Sequence, residues 1–275
     1  MASCHRLSST FMRPGYFRMS LSKLTHRLRE HDWMAALIEL VIVIAGILIA
    51  LQVSNWNQDR LDRVRAGDYY RRIHADLETD LQHIASVRSF YAVVLGYQRA
   101  ALANGEDGQL VDGSAWKTVL AWYQARQIFP FELEDTSFTE MRDASDLELI
   151  ADEGLRERLS GYYRLTGSGV TANLLRHDPV FRMQIRGLTP SKVQAYIWAK
   201  CFVQLEGTEQ KLIDCPSPIS EDEANAILVT FRASDTLLQN LRYWHTWLGV
   251  STLVIGGTRT QAAALAADIE KVQKR

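Results

Sequence analysis

The chain has 275 residues, of which 47% are hydrophobic and 23% are charged, and this composition excludes a disordered or low-complexity protein. The 31 Lys and Arg residues nearly balance the 32 Asp and Glu residues, and the net charge of -1 argues against a nucleic-acid-binding protein. Six prolines are too few for a loop-rich all-β fold, and three cysteines are too few for a disulfide scaffold.

The charge is distributed unevenly along the chain. Residues 1–32 contain six basic and two acidic residues, a net charge of +4. Residues 33–53 carry a single charge, at Glu39, so residues 54–275 hold 25 basic and 29 acidic residues. This pattern is typical of a membrane-anchored protein. We therefore expect a basic cytoplasmic tail over 1–32, a transmembrane helix over 33–53 and an extracytoplasmic helical domain over 54–275.

The apolar stretch over 33–53 reads WMAALIELVIVIAGILIALQV. As a helix it spans about 31 Å, the thickness of the hydrocarbon core of a bilayer. Trp33 and Trp56 flank it, which suits anchors in the two headgroup layers. A buried core helix would be shorter and more polar, and a cleaved signal peptide would have an apolar region of about 7–15 residues before a small-residue site. We expect an uncleaved anchor.

The orientation in the membrane follows from the cysteines more than from the charges. Within about 20 residues of the span, five basic residues precede it and five follow it, so the positive-inside rule does not decide. A disulfide between Cys201 and Cys215 would close a short loop, although two unrelated buried thiols are the alternative. If the disulfide forms, the body faces an oxidising compartment. We expect a single-pass membrane protein with a cytoplasmic N-terminus and an extracytoplasmic body.

Two long stretches show a heptad pattern, which predicts long packed helices. The first continues from the apolar stretch to about Asn104, where the turn-forming residues NGEDG begin. The second runs from about Ser234 to the C-terminus. We expect the two helices to pack antiparallel within one chain. The alternative is that each pairs with its own copy in a parallel homodimer.

Shorter helices are predicted between the two long ones from their capping residues. Ser114, Asp152 and Thr189 are expected N-caps, with Pro190 as the first helical residue after Thr189. Capping boxes are expected at Ser137 with Glu140 and at Ser220 with Glu223. No segment alternates as a strand does. The predicted fold is all-α: one N-terminal transmembrane helix that continues into an elongated extracytoplasmic helical bundle.

Two blocks of sequence resemble a family of bacterial membrane proteins, domain of unknown function 6090. The first block, LIELVIVIAGILIALQVSNWNQDR, is similar to the family pattern E-I-x-x-V-x-x-G-I-L-I-A-L-x-x-N-x-W-N-E. Its matching residues are Glu39, Val43, Gly46, Ile47, Leu48, Ile49, Ala50, Leu51, Asn55, Trp56 and Asn57.

The second block, SFTEMRDASDLELIADEGLRERLSGYY, resembles the pattern s-F-x-x-L-x-x-x-G-x-L-x-L-I-x-D-x-x-L-R-x-x-L-x-x-Y-Y. It departs from that pattern at Met141, where leucine is usual, and at Ser145-Asp146, where a glycine is usual. The resemblance implies a single-pass anchor with its N-terminus inside and a helical extracytoplasmic body. In a bacterium this places the anchor in the inner membrane and the body in the periplasm. The resemblance implies no activity.

The chain lacks the common catalytic motifs. The zinc motif H-E-x-x-H, the P-loop G-x-x-x-x-G-K-[ST] and the nucleophile elbow G-x-S-x-G do not occur. Asp76, Asp80 and His83 are weak candidates for a metal site because they fall on one helix face. A solvated, charged face of a long helix explains them more simply, with Asp80 completing the heptad pattern opposite a neighbouring helix. We therefore expect no cofactor and no enzymatic activity.

A stripe within the apolar stretch is suited to helix packing. A carboxylate such as Glu39 is costly in a bilayer unless it lies near the interface, is protonated or meets a partner helix. Gly46 and Ala50 form a small-x-x-x-small pair. Tolerance near the membrane edge and helix pairing explain Glu39 equally well. The expected partners are the lipid bilayer and, through this stripe, either a second copy or another membrane protein.

Three functions are compatible with these features. The first is a membrane-anchored helical scaffold or binding protein. The second is a sensor subunit that depends on a membrane partner, since the tail of about 32 residues is too short for an output domain. The third is a metal-dependent enzyme using Asp76, Asp80 and His83. The same sequence is compatible with a start at Met1 or at Met19.

Overall fold

The computed structural model describes residues 33–129, 133–167, 178–205 and 210–274, and the predicted basic tail with Met1 and Met19 lies outside these ranges. The described chain is helical apart from one short β-hairpin, so the all-α prediction is confirmed at the level of fold class. The elements, in chain order, are α1 (Trp33–Asp107), α2 (Ala115–Gln124), α3 (Thr136–Asp143), a 3₁₀ turn (Leu147–Leu149), α4 (Glu153–Gly167), α5 (Val180–Leu188), α6 (Ser191–Lys200), β1 (Phe202–Gln204), β2 (Gln210–Leu212), α7 (Glu221–Arg232) and α8 (Asp235–Gln273).

The chain divides into two compact units, one up to Leu61 and one from Asp62 onward. In the first unit, the described residues form the beginning of α1, and every one of them is exposed. Among the residues of this unit that the structure describes, none packs against this part of α1.

The second unit contains the rest of α1 and the C-terminal helix α8, which run antiparallel as predicted. Gln98 Oε1 lies 2.9 Å from His245 Nδ1, and Arg242 pairs with Glu106 at 2.7 Å. Residues later in α1 therefore contact residues earlier in α8, as in an antiparallel pair of helices. Both helices bury their predicted heptad positions against the body. These positions are Tyr70, Ile73, Leu77, Asp80, Ile84, Val87, Tyr91, Val94, Gln98 and Ala101 on α1 and Leu237, Leu241, Trp244, Leu248, Ser251, Ile255, Thr258, Ala262, Leu265 and Ile269 on α8.

Two hydrophobic cores lie along the α1–α8 hairpin. The larger core combines α1 from Ile84 to Ala101 with α2, α5, α6, α7 and the first half of α8. The smaller core combines α1 from Tyr69 to Leu77 with α3, α4 and the second half of α8. Because Asp80 comes between these two stretches of α1, it lies where the chain passes from one core to the other.

Several of the predicted caps are present. Ser114 accepts a hydrogen bond from Lys117 N at 3.2 Å, and Asp152 accepts one from Leu155 N at 2.8 Å. Ser220 and Glu223 form the reciprocal capping box that the sequence predicts. These caps satisfy backbone N–H groups that a first helical turn leaves without partners.

Two predicted caps are wrong because tertiary contacts take over their roles. Ser137 is not an N-cap: α3 begins at Thr136, and Ser137 N donates to the carboxylate of Asp76 on α1. Thr189 does not cap α6. Its hydroxyl donates to the carbonyl of Ile185 at 2.6 Å, so it ends α5, and α6 begins at Ser191.

The expectation of no strand is also wrong. The helix α6 ends at Lys200, and β1 pairs antiparallel with β2 in the register Phe202 with Leu212. Ile213 N donates to Cys201 O at 3.1 Å, which extends the pairing beyond the strands. Strands of three residues are too short to display the alternation by which a sequence reveals them.

Candidate functional site

The interior of the body contains one buried carboxylate, Asp80, among the described residues. Its side chain is 1% exposed and accepts two hydrogen bonds, from Glu134 N at 2.8 Å and from the Tyr162 hydroxyl at 2.8 Å. These bonds join α1 to the segment before α3 and to α4. Asp80 is therefore a structural link between three parts of the body.

Burial raises the pKa of Asp80 to about 6 from its ordinary value of 3.8. The hydrogen bonds from Glu134 N and Tyr162 act in the opposite direction because they stabilise the ionised form. The negative charges of Asp76 and Glu134 act in the same direction as burial, and the value of about 6 includes all of these effects. Desolvation is the largest of these effects, so Asp80 holds its proton more firmly than an exposed aspartate does.

The three candidate metal ligands do not converge on a shared site. Asp76 accepts from Ser137 N at 3.2 Å, at the first turn of α3. His83 lies edge-on to the ring of Phe129, with centroids 5.8 Å apart. Within the described ranges, no three His, Cys, Asp or Glu side chains lie close enough together to hold a metal ion. The weak candidates Asp76, Asp80 and His83 share a helix face because of their spacing, but the contacts that they make are separate for each of them.

A second interior charge, Arg126, was missed by the sequence analysis. Residues 118–129 are all buried, and Arg126 is the one charged residue among them. Its guanidinium carbon lies 4.1 Å from the ring centroid of Tyr123 and 5.2 Å from that of Trp198. A single charge within an otherwise apolar and amide-rich run was the signal that could have pointed to it.

The guanidinium of Arg126 has no hydrogen-bond partner at Nε, Nη1 or Nη2 among the described residues, although the side chain is 0% exposed. Its pKa is lowered to about 10, mainly by burial and also by the positive charges of Arg186 and Arg182, while Tyr123 acts in the opposite direction. An unpaired buried ion costs several kcal/mol, and stacking on aromatic rings returns about 2 kcal/mol. The described contacts of Arg126 therefore do not offset the cost of burying its charge.

Cys201 and Cys215 form a disulfide, with Cα atoms 5.2 Å apart. The carbonyls of both cysteines accept hydrogen bonds from α2. Gln124 Nε2 donates to Cys201 O at 3.1 Å, and Trp116 Nε1 donates to Cys215 O at 2.9 Å. The disulfide thus fixes the β-hairpin region against α2.

The apolar stretch at the start of α1 is long and apolar enough to cross a membrane, with a mean hydropathy of 2.8 and no buried residue in its most apolar window. Because its side chains are exposed, it is not the core helix of a soluble body. The predicted packing residues Glu39, Gly46 and Ala50 are exposed, and so are the predicted anchors Trp33 and Trp56.

The helix α8 also carries a row of exposed apolar side chains, in addition to its buried face. Tyr243, Trp247, Val250 and Val254 recur at steps of four and three residues and are 68%, 39%, 52% and 48% exposed. Leu253 beside them is 77% exposed. The heptad pattern predicted that this part of α8 is a packed helix. The structure shows that its heptad face is buried and that this second face, called here the α8 apolar row, is in solvent.

No family model, curated protein or solved structure matches the chain. The resemblance to the domain of unknown function 6090 therefore stays a prediction from the two sequence blocks. The site residues above rest on the geometry of this chain alone.

Proposed function

We propose that this chain is a single-pass inner-membrane protein whose helical body acts in the periplasm as a scaffold or binding module. The observation that carries the proposal is the apolar beginning of α1, over 33–53, in which every side chain is exposed. Exposed apolar surface of this extent is stable in lipid and costly in water. A helix satisfies its own backbone hydrogen bonds, as a membrane span requires.

The disulfide supports the proposed orientation. Disulfides persist in the periplasm and are rare in the cytosol, where thiols are kept reduced. Cys201 and Cys215 both belong to the body, so a body in the periplasm and a tail in the cytoplasm are consistent with their pairing. The charges flanking the span are balanced and favour neither orientation.

Two exposed surfaces support a binding or scaffold role. The α8 apolar row presents large apolar side chains to solvent, which is typical of surfaces that bind other proteins. In the transmembrane segment, a Cβ added at Gly46 would meet no atom within 4 Å, so this stripe is open to a partner helix. A partner at either surface would cover apolar groups that the single chain leaves exposed.

Membrane insertion and orientation are tested with the full chain in cells. We expect the protein to stay in the membrane fraction after alkaline extraction with its N-terminal tail intact. A reporter that is active only in the cytoplasm, fused after Arg275, should be silent, whereas a periplasmic reporter at the same place should be active. A shortened, extractable protein would show that the apolar segment is a cleaved signal peptide and would contradict the proposal.

The binding role is tested by site-specific photo-crosslinking in native membranes. A photoreactive residue at Trp247 should capture a partner, whereas the same residue at Gln261, an exposed polar position on the same helix, should capture far less. The mass of the product distinguishes a second copy of this chain from another membrane protein. Equal labelling at the two positions would remove the support that the α8 apolar row gives to a binding role.

A further inference from the structure

Arg126 and Arg182 carry buried N–H groups that nothing in the described chain accepts. In Arg126 these are Nε, Nη1 and Nη2, and in Arg182 it is Nε. Arg182 also donates from Nη1 to Asp178 at 3.1 Å, so that its remaining Nε–H is the group without a partner. The two charges are close enough to affect each other. This part of the interior therefore has an excess of donors and of positive charge.

The surroundings hold Arg126 in place without satisfying its donors. Tyr123 stacks against the guanidinium, and the Tyr123 hydroxyl donates to Gln194 Oε1 at 3.1 Å. Gln194 Nε2 donates in turn to the carbonyls of Arg186 and Thr189, both at 2.8 Å. The ring under the guanidinium is thus fixed by a network that joins α2 to α6. A donor fork held in this way is pre-organised for a planar or tetrahedral group of acceptor oxygens.

We propose that Arg126 and Arg182 bind a small oxyanion, a carboxylate or a phosphate group, in the interior of the body beside Trp198. The guanidinium of Arg126 donates from two nitrogens to two oxygens of the ligand, and Arg182 contributes its Nε–H and its charge. The ligand supplies the acceptors and the negative charge that the described chain does not.

Access to this site passes Trp198. This side chain is 37% exposed and lies against the guanidinium of Arg126, which is itself fully buried. Its ring also makes an edge contact with Phe202, at 4.8 Å between centroids, immediately after the disulfide-bonded Cys201. Of the two rings against the guanidinium, Tyr123 is fully buried and Trp198 reaches the surface, so the side of Trp198 is the shortest way for a ligand to reach Arg126.

Arg126 and Arg182 belong to the second unit, whereas the apolar segment belongs to the first. Binding of an oxyanion can therefore be tested whether or not the chain spans a membrane. The full chain, purified in detergent, is heated with inorganic phosphate, with succinate, or with sodium chloride at matched ionic strength. We expect phosphate or succinate to raise the unfolding midpoint by about 3 °C or more at ligand concentrations near ten times Kd. The same ligand should change the tryptophan fluorescence, and this change should disappear in Trp198→Phe while the shift of the midpoint remains.

Substitutions of Arg126 separate a binding role from a structural one. Arg126→Met removes an unpaired buried charge at similar volume, so without ligand its midpoint should be equal to or above that of the wild type, and its response to ligand should be lost. Arg126→Lys keeps the charge but not the donor fork and should weaken binding about tenfold or more. Arg182→Gln should weaken binding with little change of the midpoint in the absence of ligand.

The outcome that overturns the proposal is equally specific. If neither phosphate nor succinate stabilises the wild type beyond the chloride control, the proposal is wrong. A lowered midpoint in Arg126→Met then identifies Arg126 as a structural residue. A response to one ligand alone assigns the site to that chemistry. Should Arg126→Met not fold, the fluorescence response of the wild type and its loss in Trp198→Phe still decide between the two roles.

Discussion

The hydroxyl of Tyr162 donates a 2.8 Å hydrogen bond to the carboxylate of Asp80, a residue 82 positions earlier in the chain. This bond joins α4 to α1 in the interior of the body. It also stabilises the ionised form of an aspartate that burial would otherwise keep protonated. The stability of the body should therefore depend on pH through Asp80.

The direction of that dependence follows from the raised pKa. Between pH 4 and pH 6 the folded protein holds the proton on Asp80 and the unfolded chain releases it, so this contribution favours folding at low pH and is lost as the pH rises. A shift from 3.8 to about 6 corresponds to ~3 kcal/mol. Because Asp80→Asn does not titrate, its free energy of unfolding should rise relative to the wild type by about that amount from pH 4 to pH 7.

Carboxylates with lowered pKa values, such as Glu221 and Asp268, make folding more favourable as the pH rises. They contribute equally in the wild type and in Asp80→Asn, so their effect cancels in the difference. The difference between the two unfolding curves, measured by denaturant titration at each pH, isolates Asp80. A flat difference across this range would show that the Asp80 carboxyl titrates normally in the folded state.

The sequence predicted the buried faces of the two long helices but not the chemistry at Asp80. Asp80 and Gln98 were expected in the heptad pattern, and both are buried. Their partners, Tyr162 and His245, lie 82 and 147 residues away. Periodicity reports which face of a helix is covered, whereas hydrogen-bond partners depend on the tertiary fold. For the same reason the sequence could not reveal that Arg126 lacks a partner.

The turn after α3 holds a serine in a conformation that favours glycine. Ser145 has φ = 63°, and Ser145 N and Asp146 N donate to the carbonyls of Arg142 and Met141, the pattern of a helix end with a left-handed residue. A Cβ in this conformation costs about 1–2 kcal/mol. Ser145→Gly should therefore raise the free energy of unfolding by about 1 kcal/mol, measured by urea titration. Ser145→Ala keeps the Cβ and should bring no gain; an equal gain in both variants would contradict the argument.

A close helix contact explains the glycine at position 105. A Cβ on Gly105 would lie 2.7 Å from Leu238 Cδ1 and 3.2 Å from Trp122 Cζ2. Overpacking of this kind costs about 1–3 kcal/mol, so Gly105→Ala should lower the unfolding midpoint. A Cβ on Gly96 of the same helix would meet only Arg99 Nη2, at an ordinary contact distance of 4.0 Å. Gly96→Ala should therefore raise the midpoint, because alanine favours the helix by about 1 kcal/mol over glycine. Similar effects of the two substitutions would mean that the contact at Gly105 is not tight.

Cys201 and Cys215 should contribute to stability only when both are present, because the disulfide needs both sulfur atoms. Cross-linking a loop of this length contributes roughly 3 kcal/mol in the chain-entropy model. Cys201→Ala, Cys215→Ala and the double variant should each lose about that amount, because either substitution removes the whole bond. The bond itself should appear as a joined peptide in a non-reducing digest, with Cys4 available for alkylation. Losses that add between the two single variants would indicate separate thiols.

The antiparallel hairpin of α1 and α8 should be detectable by cross-linking within one chain. Gln98 and His245 have side-chain atoms 2.9 Å apart, so a short bismaleimide reagent should join Gln98→Cys to His245→Cys when Cys4 is replaced by serine. Gln98→Cys with Tyr243→Cys is the matched control, because Tyr243 is 68% exposed and two residues away on another face of α8. A gel under non-reducing conditions and the mass of the joined peptide identify the product. A parallel homodimer would instead give cross-links between chains from either single cysteine, and that result would reject the hairpin.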